Sequence, residues 1–360
     1  MLLCLSSAVR KRYRDDIYRV LALSEGLYLN FRYTDDLLPD LLVEKLRSQK
    51  LVDRSVLICH LNRDVVLPRP IAIPCRYADI VQYDVTGNII SLTLKMGKYA
   101  FTNNLNSFNS ELSQYTSNFP NWPDIKNKEI IEGYFCEPIT NHLTNISPSS
   151  RTRDWQDIVS EVQSAFIGQG FDDYEYFYQV KSLIIEKNNT ALTPVNGRFN
   201  LNPDTDYKIK IIHYSPEAQF KYIERHSNPR LFIYSYDKDI INNTRDVYDI
   251  DSPYDALDFR FNSGFKTAKR NSLYTMYFLP ANVPKINPEH GELDIDIPLT
   301  INRNTFKICV LYLLGVVIFY IQQRFNTDNP FDLLSQDSFF QAVFSFAFIA
   351  VVAFGFKKIW

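Results

Sequence analysis

The stretch Phe339–Phe356, FFQAVFSFAFIAVVAFGF, decides how the rest of the chain is read. Gln341 and Ser345 are its polar interruptions, and Lys357, Lys358 and Trp360 follow, residue types that suit a lipid–water boundary. A shorter apolar run, Ile308–Ile321 (ICVLYLLGVVIFYI), precedes it. As a helix its fourteen residues cover only about 21 Å of a hydrocarbon layer of roughly 30 Å. Spanning there requires Phe306, Lys307, Gln322, Gln323 and Arg324 to extend the run by snorkelling, or local bilayer thinning. Asn329-Pro330 and the acids Asp328, Asp332 and Asp337 between the runs supply a turn. Residues 303–360 are therefore expected to form a two-helix transmembrane hairpin rather than a pair of core helices.

Arg303, Lys307, Lys357 and Lys358 flank the hairpin on one side and Arg324 on the other. The positive-inside rule then places both the N-terminal region and the C-terminus in the cytoplasm. Sequons at Asn145, Asn188 and Asn242 become chance matches in this orientation. On a helical projection of the second span, Ala342, Ser345 and Ala353 share a side with Gln341 nearby, opposite a ridge of Phe340, Phe344 and Phe348. Small residues permit close helix contact, and in an oligomer the same polar face could line a wet path.

The remainder reads as soluble. Charged residues make up 22% of the 360 and the net charge is -2, which excludes a chain-wide basic field for nucleic acid. Mean hydropathy, -0.20, hides the apolar tail in an average. The five cysteines, Cys4, Cys59, Cys75, Cys136 and Cys309, form no CxxC pair and read as free thiols. Met1–Ala8 places its apolar residues before Arg10, Lys11, Arg12 and Arg14, the reverse of a secretory signal.

Residues 1–145 mix signals and predict an α+β or partly open β-barrel unit. Ile17–Leu23, Leu27–Tyr33, Val56–Leu61, Ala78–Val85 and Asn88–Leu94 suggest strands, and Asp36–Gln49 a Leu-rich helix. Residues 146–173 predict a linker and a short helix over Trp155–Phe166 capped by Asp154. In 174–302, strand-like segments recur at Tyr176–Ile185, Tyr207–His213, Arg230–Tyr236, Ala256–Phe261, Ser272–Leu279 and Leu293–Ile297. That rhythm predicts a β-sandwich, and Gly197–Ile209 resembles the strand, turn and strand of immunoglobulin-like domains.

Catalytic motifs are sparse. Tyr33-Thr34-Asp35-Asp36 looks like a polymerase metal pair, but too little chain precedes it for another acidic palm ligand, and a helix cap at Asp35 or Asp36 explains it better. Asp172, Asp173 and Glu175 lack a calcium-loop pattern, and His60, His142, His213, His226 and His290 lack ligand spacing. Eleven glycines over 360 residues hold no phosphate loop, and GxSxG and HExxH are absent. A non-enzymatic protein without cofactor or metal is expected, with the lipid bilayer and a second copy or a partner protein as its contacts.

The layout of a soluble region followed by a two-span hairpin resembles the two-transmembrane effectors of bacterial anti-phage defence systems. The resemblance implies a cytoplasmic sensing region that controls assembly of the hairpin and disruption of the inner membrane. The sequence also fits an anchored scaffold that recruits a cytoplasmic partner.

Overall fold

The computed structural model describes residues 1–7, 11–35, 38, 40–62, 71–115, 133–136, 143–170, 176–216, 230–235, 237, 240–242, 247–264, 269–279, 294–303, 310 and 312–318. Strands dominate them, in three sheets.

The first unit contains β1 (Leu2–Ser7), α1 (Lys11–Ala22), β2 (Tyr28–Thr34), α2 (Asp40–Arg47), β3 (Ser55–Asn62), β4 (Ile71–Thr86), β5 (Ile89–Phe101), α3 (Leu105–Tyr115), β6 (Gly133–Cys136), β7 (Ser147–Ser149) and α4 (Thr152–Gly168). Its strand order is β2-β5-β4-β3-β1-β6, with β7 added to β5. Both faces of this sheet are covered. Cys4, Val56, Ile58 and Cys75 share one core with α1 and α4, while Leu3, Leu57, Cys59 and Ala72 pack with Phe108 and Leu112 of α3. Coverage on both sides explains why β1, parallel to β3, opens with consecutive apolar residues, Leu2, Leu3 and Cys4, rather than an alternation.

Expectation and fold agree on β2, β3 and the β4–β5 hairpin, whose turn falls at Gly87. Ile17–Leu23, expected as a strand, instead ends α1. Tyr13, Ile17, Val20 and Leu21 are buried at helical spacing, and that burial overrides the β-branched character of the segment. Nor does Asp154 cap α4. The helix begins after Arg151, and Asp154, in its first turn, accepts hydrogen bonds from the Ser149 hydroxyl and from Nε of Arg151 (2.9 Å).

The second group of strands comprises β8 (Phe177–Ile185), β9 (Thr190–Leu192), β10 (Phe199–Leu201), β11 (Asp206–Tyr214), β12 (Arg230–Ser235), β13 (Ile241–Asn242), β14 (Val247–Asp249), β15 (Tyr254–Asn262), β16 (Arg270–Leu279) and β17 (Asp294–Ile301). They make two five-stranded sheets, β10-β17-β16-β12-β14 and β13-β15-β11-β8-β9. Leu299, Ile297 and Tyr274 of one sheet and Ile209, Phe259 and Phe261 of the other belong to the same buried core, consistent with a β-sandwich. That core is continuous with the first unit through α1 and α4.

Gly197 fixes a further junction. Leu27 bridges to it, and a Cβ at Gly197 would lie 2.3 Å from the Tyr28 ring, so the approach admits no side chain. Its φ of +72° adds a second reason for glycine there.

Candidate functional site: an exposed apolar helix and a buried polar junction

Along β17, Ile295, Ile297, Leu299 and Ile301 point into the core, and the strand lies between β10 and β16. The N–H of Asn302 still donates to the carbonyl of Leu201 at 2.8 Å, so the sheet holds the chain up to the residue before Arg303. Residues 310 and 312–318 are helical. There Tyr312, Leu313, Leu314, Val316 and Val317 are 61%, 63%, 49%, 64% and 47% exposed, and Val310 is 39% exposed.

At about 100° per residue these six positions sweep roughly 200° of the helix circumference. Among the described residues of the segment, Gly315 and Ile318 turn toward cover. A helix bathed in water shows polar residues over such an arc, and a contiguous exposed apolar surface marks a lipid or protein contact. Among the described residues no helix is long and apolar enough to cross a membrane. The second apolar run lies outside the described residues, as do Lys307, Arg324, Gln341, Ala342, Ser345, Ala353, Lys357, Lys358 and Trp360; Arg303 is described and exposed.

The other candidate residues fall apart in space. Asp35 does not cap α2, because its carboxylate is held by Nη2 of Arg47 at 2.7 Å and the helix starts only at Asp40. Asp36, the acidic run Asp172, Asp173 and Glu175, and His142, His226 and His290 lie outside the described residues. His60 is buried with its ring edge-on to Phe166, at 5.0 Å between centroids. His213, on β11, is buried beside Tyr176, and burial lowers its pKa to about 4 against the pull of Asp255 and Asp251. Cys4, Cys59 and Cys75 are buried free thiols. Burial pushes the Cys4 and Cys75 thiols up to about 12, out of the reactive range. No group of three or more His, Cys, Asp or Glu among the described residues is placed to hold a metal ion.

Polar groups do converge at the C-terminal end of α1. A helix end leaves carbonyls without partners, and here three side chains from other elements take them up. Nη1 of Arg76, on β4, donates to the carbonyls of Val20 (2.7 Å) and Leu23 (2.5 Å), and its Nε donates to Gly97 (2.8 Å). The Tyr99 hydroxyl and the Trp155 indole both donate to the Leu21 carbonyl, at 2.9 and 3.1 Å. Tyr99 lies under the Arg76 guanidinium, 4.6 Å from ring centroid to Cζ, and accepts from Nε2 of Gln179 on β8 at 3.0 Å. Gly97 belongs to the same construction, since a Cβ there would sit 2.9 Å from the Tyr77 carbonyl oxygen. Burial lowers the Arg76 pKa and raises that of Tyr99.

A cavity of about 190 Å³ opens against this cluster, its wall shared by β4 and β5, the end of α1, the segment after β7, and β8. Sequence reasoning missed these residues. The available signal was Arg76 inside the apolar run IAIPCRYADI and Gln179 inside FYQV. On the other side of α1, Nη1 of Arg19 pairs with Asp16 at 3.2 Å and its Nε donates to the carbonyl of Asp294, the first residue of β17, at 3.0 Å. Burial raises the Asp16 carboxyl to about 6, with Arg19 and Arg12 opposing the rise.

No protein-family description matches the chain, and no curated protein matches it. Among solved structures, a Bacteroides ovatus GH5 xyloglucanase in complex with a heptasaccharide aligns at 10% identity over 34% of this chain and 19% of its own, with a TM-score of 0.17. Tripeptidyl peptidase 2 aligns at 13% identity over 42% of this chain and 11% of its own, with a TM-score of 0.23. A C. elegans MSP family member aligns at 13% identity over 29% of this chain and 91% of its own, with a TM-score of 0.17. The chain thus spans less than a fifth of the length of the first two structures.

Proposed function

We propose that this protein is a membrane-anchored, non-enzymatic effector in which the soluble region controls assembly of a C-terminal two-helix hairpin that disrupts a bacterial inner membrane. The single observation that carries the reading is the helical segment beginning nine residues after β17, with large apolar side chains exposed at Val310, Tyr312, Leu313, Leu314, Val316 and Val317. Lipid covers such a surface at no cost, whereas water does not. Arg303 and Lys307 before the segment support an orientation with the soluble region in the cytoplasm.

In the same proposal the second unit is an immunoglobulin-like sandwich. Support comes from the parallel pairing of β10 with β17 at the edge of one sheet and from the split of neighbouring strands between the two sheets. The layout of soluble region plus hairpin is the ground for placing the protein in anti-phage defence, with a second copy or a defence partner completing the assembly.

Expression of the full chain should collapse the membrane potential, read with a potential-sensitive dye, and a chain ending before Arg303 should be harmless. An intact potential under every condition that perturbs the soluble region refutes the effector. The anchored scaffold is separated by exchanging the hairpin for an unrelated anchor, since scaffold function survives that exchange and disruption does not.

A further inference from the structure

We propose that the cavity at the end of α1 binds a small metabolite, of about the size of an amino acid, that carries both an anionic oxygen group and an N–H donor. The floor is built rather than incidental: Arg76, Tyr99 and Gln179 line it and are 1%, 5% and 4% exposed. The three bonds of Arg76 use Nε and Nη1 and go to neutral carbonyls, so Nη2 stands outside them, and the carboxylate that acts on its charge is that of Glu25, which lines the same cavity. A buried guanidinium in that condition favours an anion. At the rim, Lys98 and Lys181 add positive charge and Glu25 opposes them, which leaves three cations against one carboxylate. Lys181 holds the Ser150 carbonyl and the Thr152 hydroxyl, both at 3.2 Å.

Gln179 supplies the complementary preference. The Tyr99 hydroxyl spends its proton on Leu21, so it must accept from the Gln179 amide nitrogen, and this fixes which end of the amide is the oxygen. That Oε1 is buried and accepts no hydrogen bond among the described residues, a deficit that a ligand N–H relieves. Volume narrows the class. At about 190 Å³ the cavity is smaller than the roughly 300 Å³ at which drug-sized sites begin. Because its wall joins β4 and β5 to β8, an occupant braces the first unit against the sandwich. A role as trigger rests on the effector reading; binding itself does not.

Titration calorimetry and thermal unfolding of the full chain in detergent test the site. The probes are L-serine and O-phospho-L-serine, which carry both groups, beside inorganic phosphate and ethanolamine, which carry one each. At about 10 mM, L-serine or O-phospho-L-serine should raise the midpoint through binding to the folded state, while phosphate and ethanolamine leave it unchanged. Lys98→Glu, at an exposed rim position, should weaken binding by about tenfold or more with the unliganded midpoint preserved. Failure of both two-group probes to bind, an equal response to phosphate alone, or unaltered binding by the charge-reversed chain overturns the proposal. Binding without any effect of ligand on membrane potential leaves the site standing and counts against the effector.

Discussion

Nε of Arg19, in the last turn of the first helix, donates to the carbonyl of Asp294 across 275 residues of sequence. The strand that leads to the apolar helix is thus held at its start by the N-terminal unit. Replacing Arg19 with Met removes that bond and the pairing with Asp16. We expect a loss of about 1–2 kcal/mol and faster amide exchange at the beginning of β17, with exchange in β11 unchanged. Uniform acceleration across both sheets would show that the contact has no local role.

Arg76 is expected to be far more costly to remove. Arg76→Met leaves the carbonyls of Val20, Leu23 and Gly97 without their donor in the interior. The loss should reach about 3 kcal/mol or more in urea unfolding. Arg76→Lys should not restore it, because a single ammonium cannot reproduce the divergent donors of the guanidinium. Full rescue by lysine would mean that charge alone matters at this helix end.

Two buried groups give opposing pH dependences. Asp16 has its pKa raised from 3.8 to about 6, so the folded state binds the extra proton, and this contribution to stability is present below 3.8 and lost as pH rises through 6. His213 has its pKa lowered from 6.5 to about 4, so its contribution is present above 6.5 and lost as pH falls through 4. The windows overlap, and each masks the other. Asp16→Asn should make the midpoint fall as pH drops from 6 to 4, whereas His213→Gln should make it rise. Parallel profiles for the two variants would contradict these assignments.

Exposed positions on a water-soluble helix tolerate polar substitution within about 0.5 kcal/mol. At the centre of a membrane helix, Asp costs about 2.5–3.5 kcal/mol per residue. In a chain ending at Arg324, which lacks the second apolar run, Leu313→Asp with Val316→Asp should therefore release the protein from membranes in carbonate extraction and leave the urea midpoint of the soluble region unchanged. Retention of the doubly substituted chain in the membrane pellet would remove the main support for a lipid contact at this segment.

Much of the strand pattern could be read from local sequence. Alternation and the Gly87 turn announce β4 and β5, and apolar repeats announce α4. Segments buried on more than one side were obscured. Met1–Ser7 has no alternation because both faces of β1 are covered, and Ile17–Leu23 looks like a strand because nearly every residue there is buried. At the site, the apolar tail is legible from its two unbroken runs, which the composition of the whole chain averages away. The α1 junction is not, since the carbonyls bound by Arg76 lie up to 56 residues away and nothing local announces them. Asp35 misled for the same reason, its partner Arg47 being at the far end of α2.

The position of β17 also sets an order of events during synthesis. It lies between β10 and β16, pairing with a strand about 100 residues earlier, so its sheet stays divided until residue 301 has been made. The apolar run starts seven residues later, at Ile308. Closure of that sheet and synthesis of the apolar run therefore fall together at the ribosome, and a delay in one exposes the hydrophobic surface of the other.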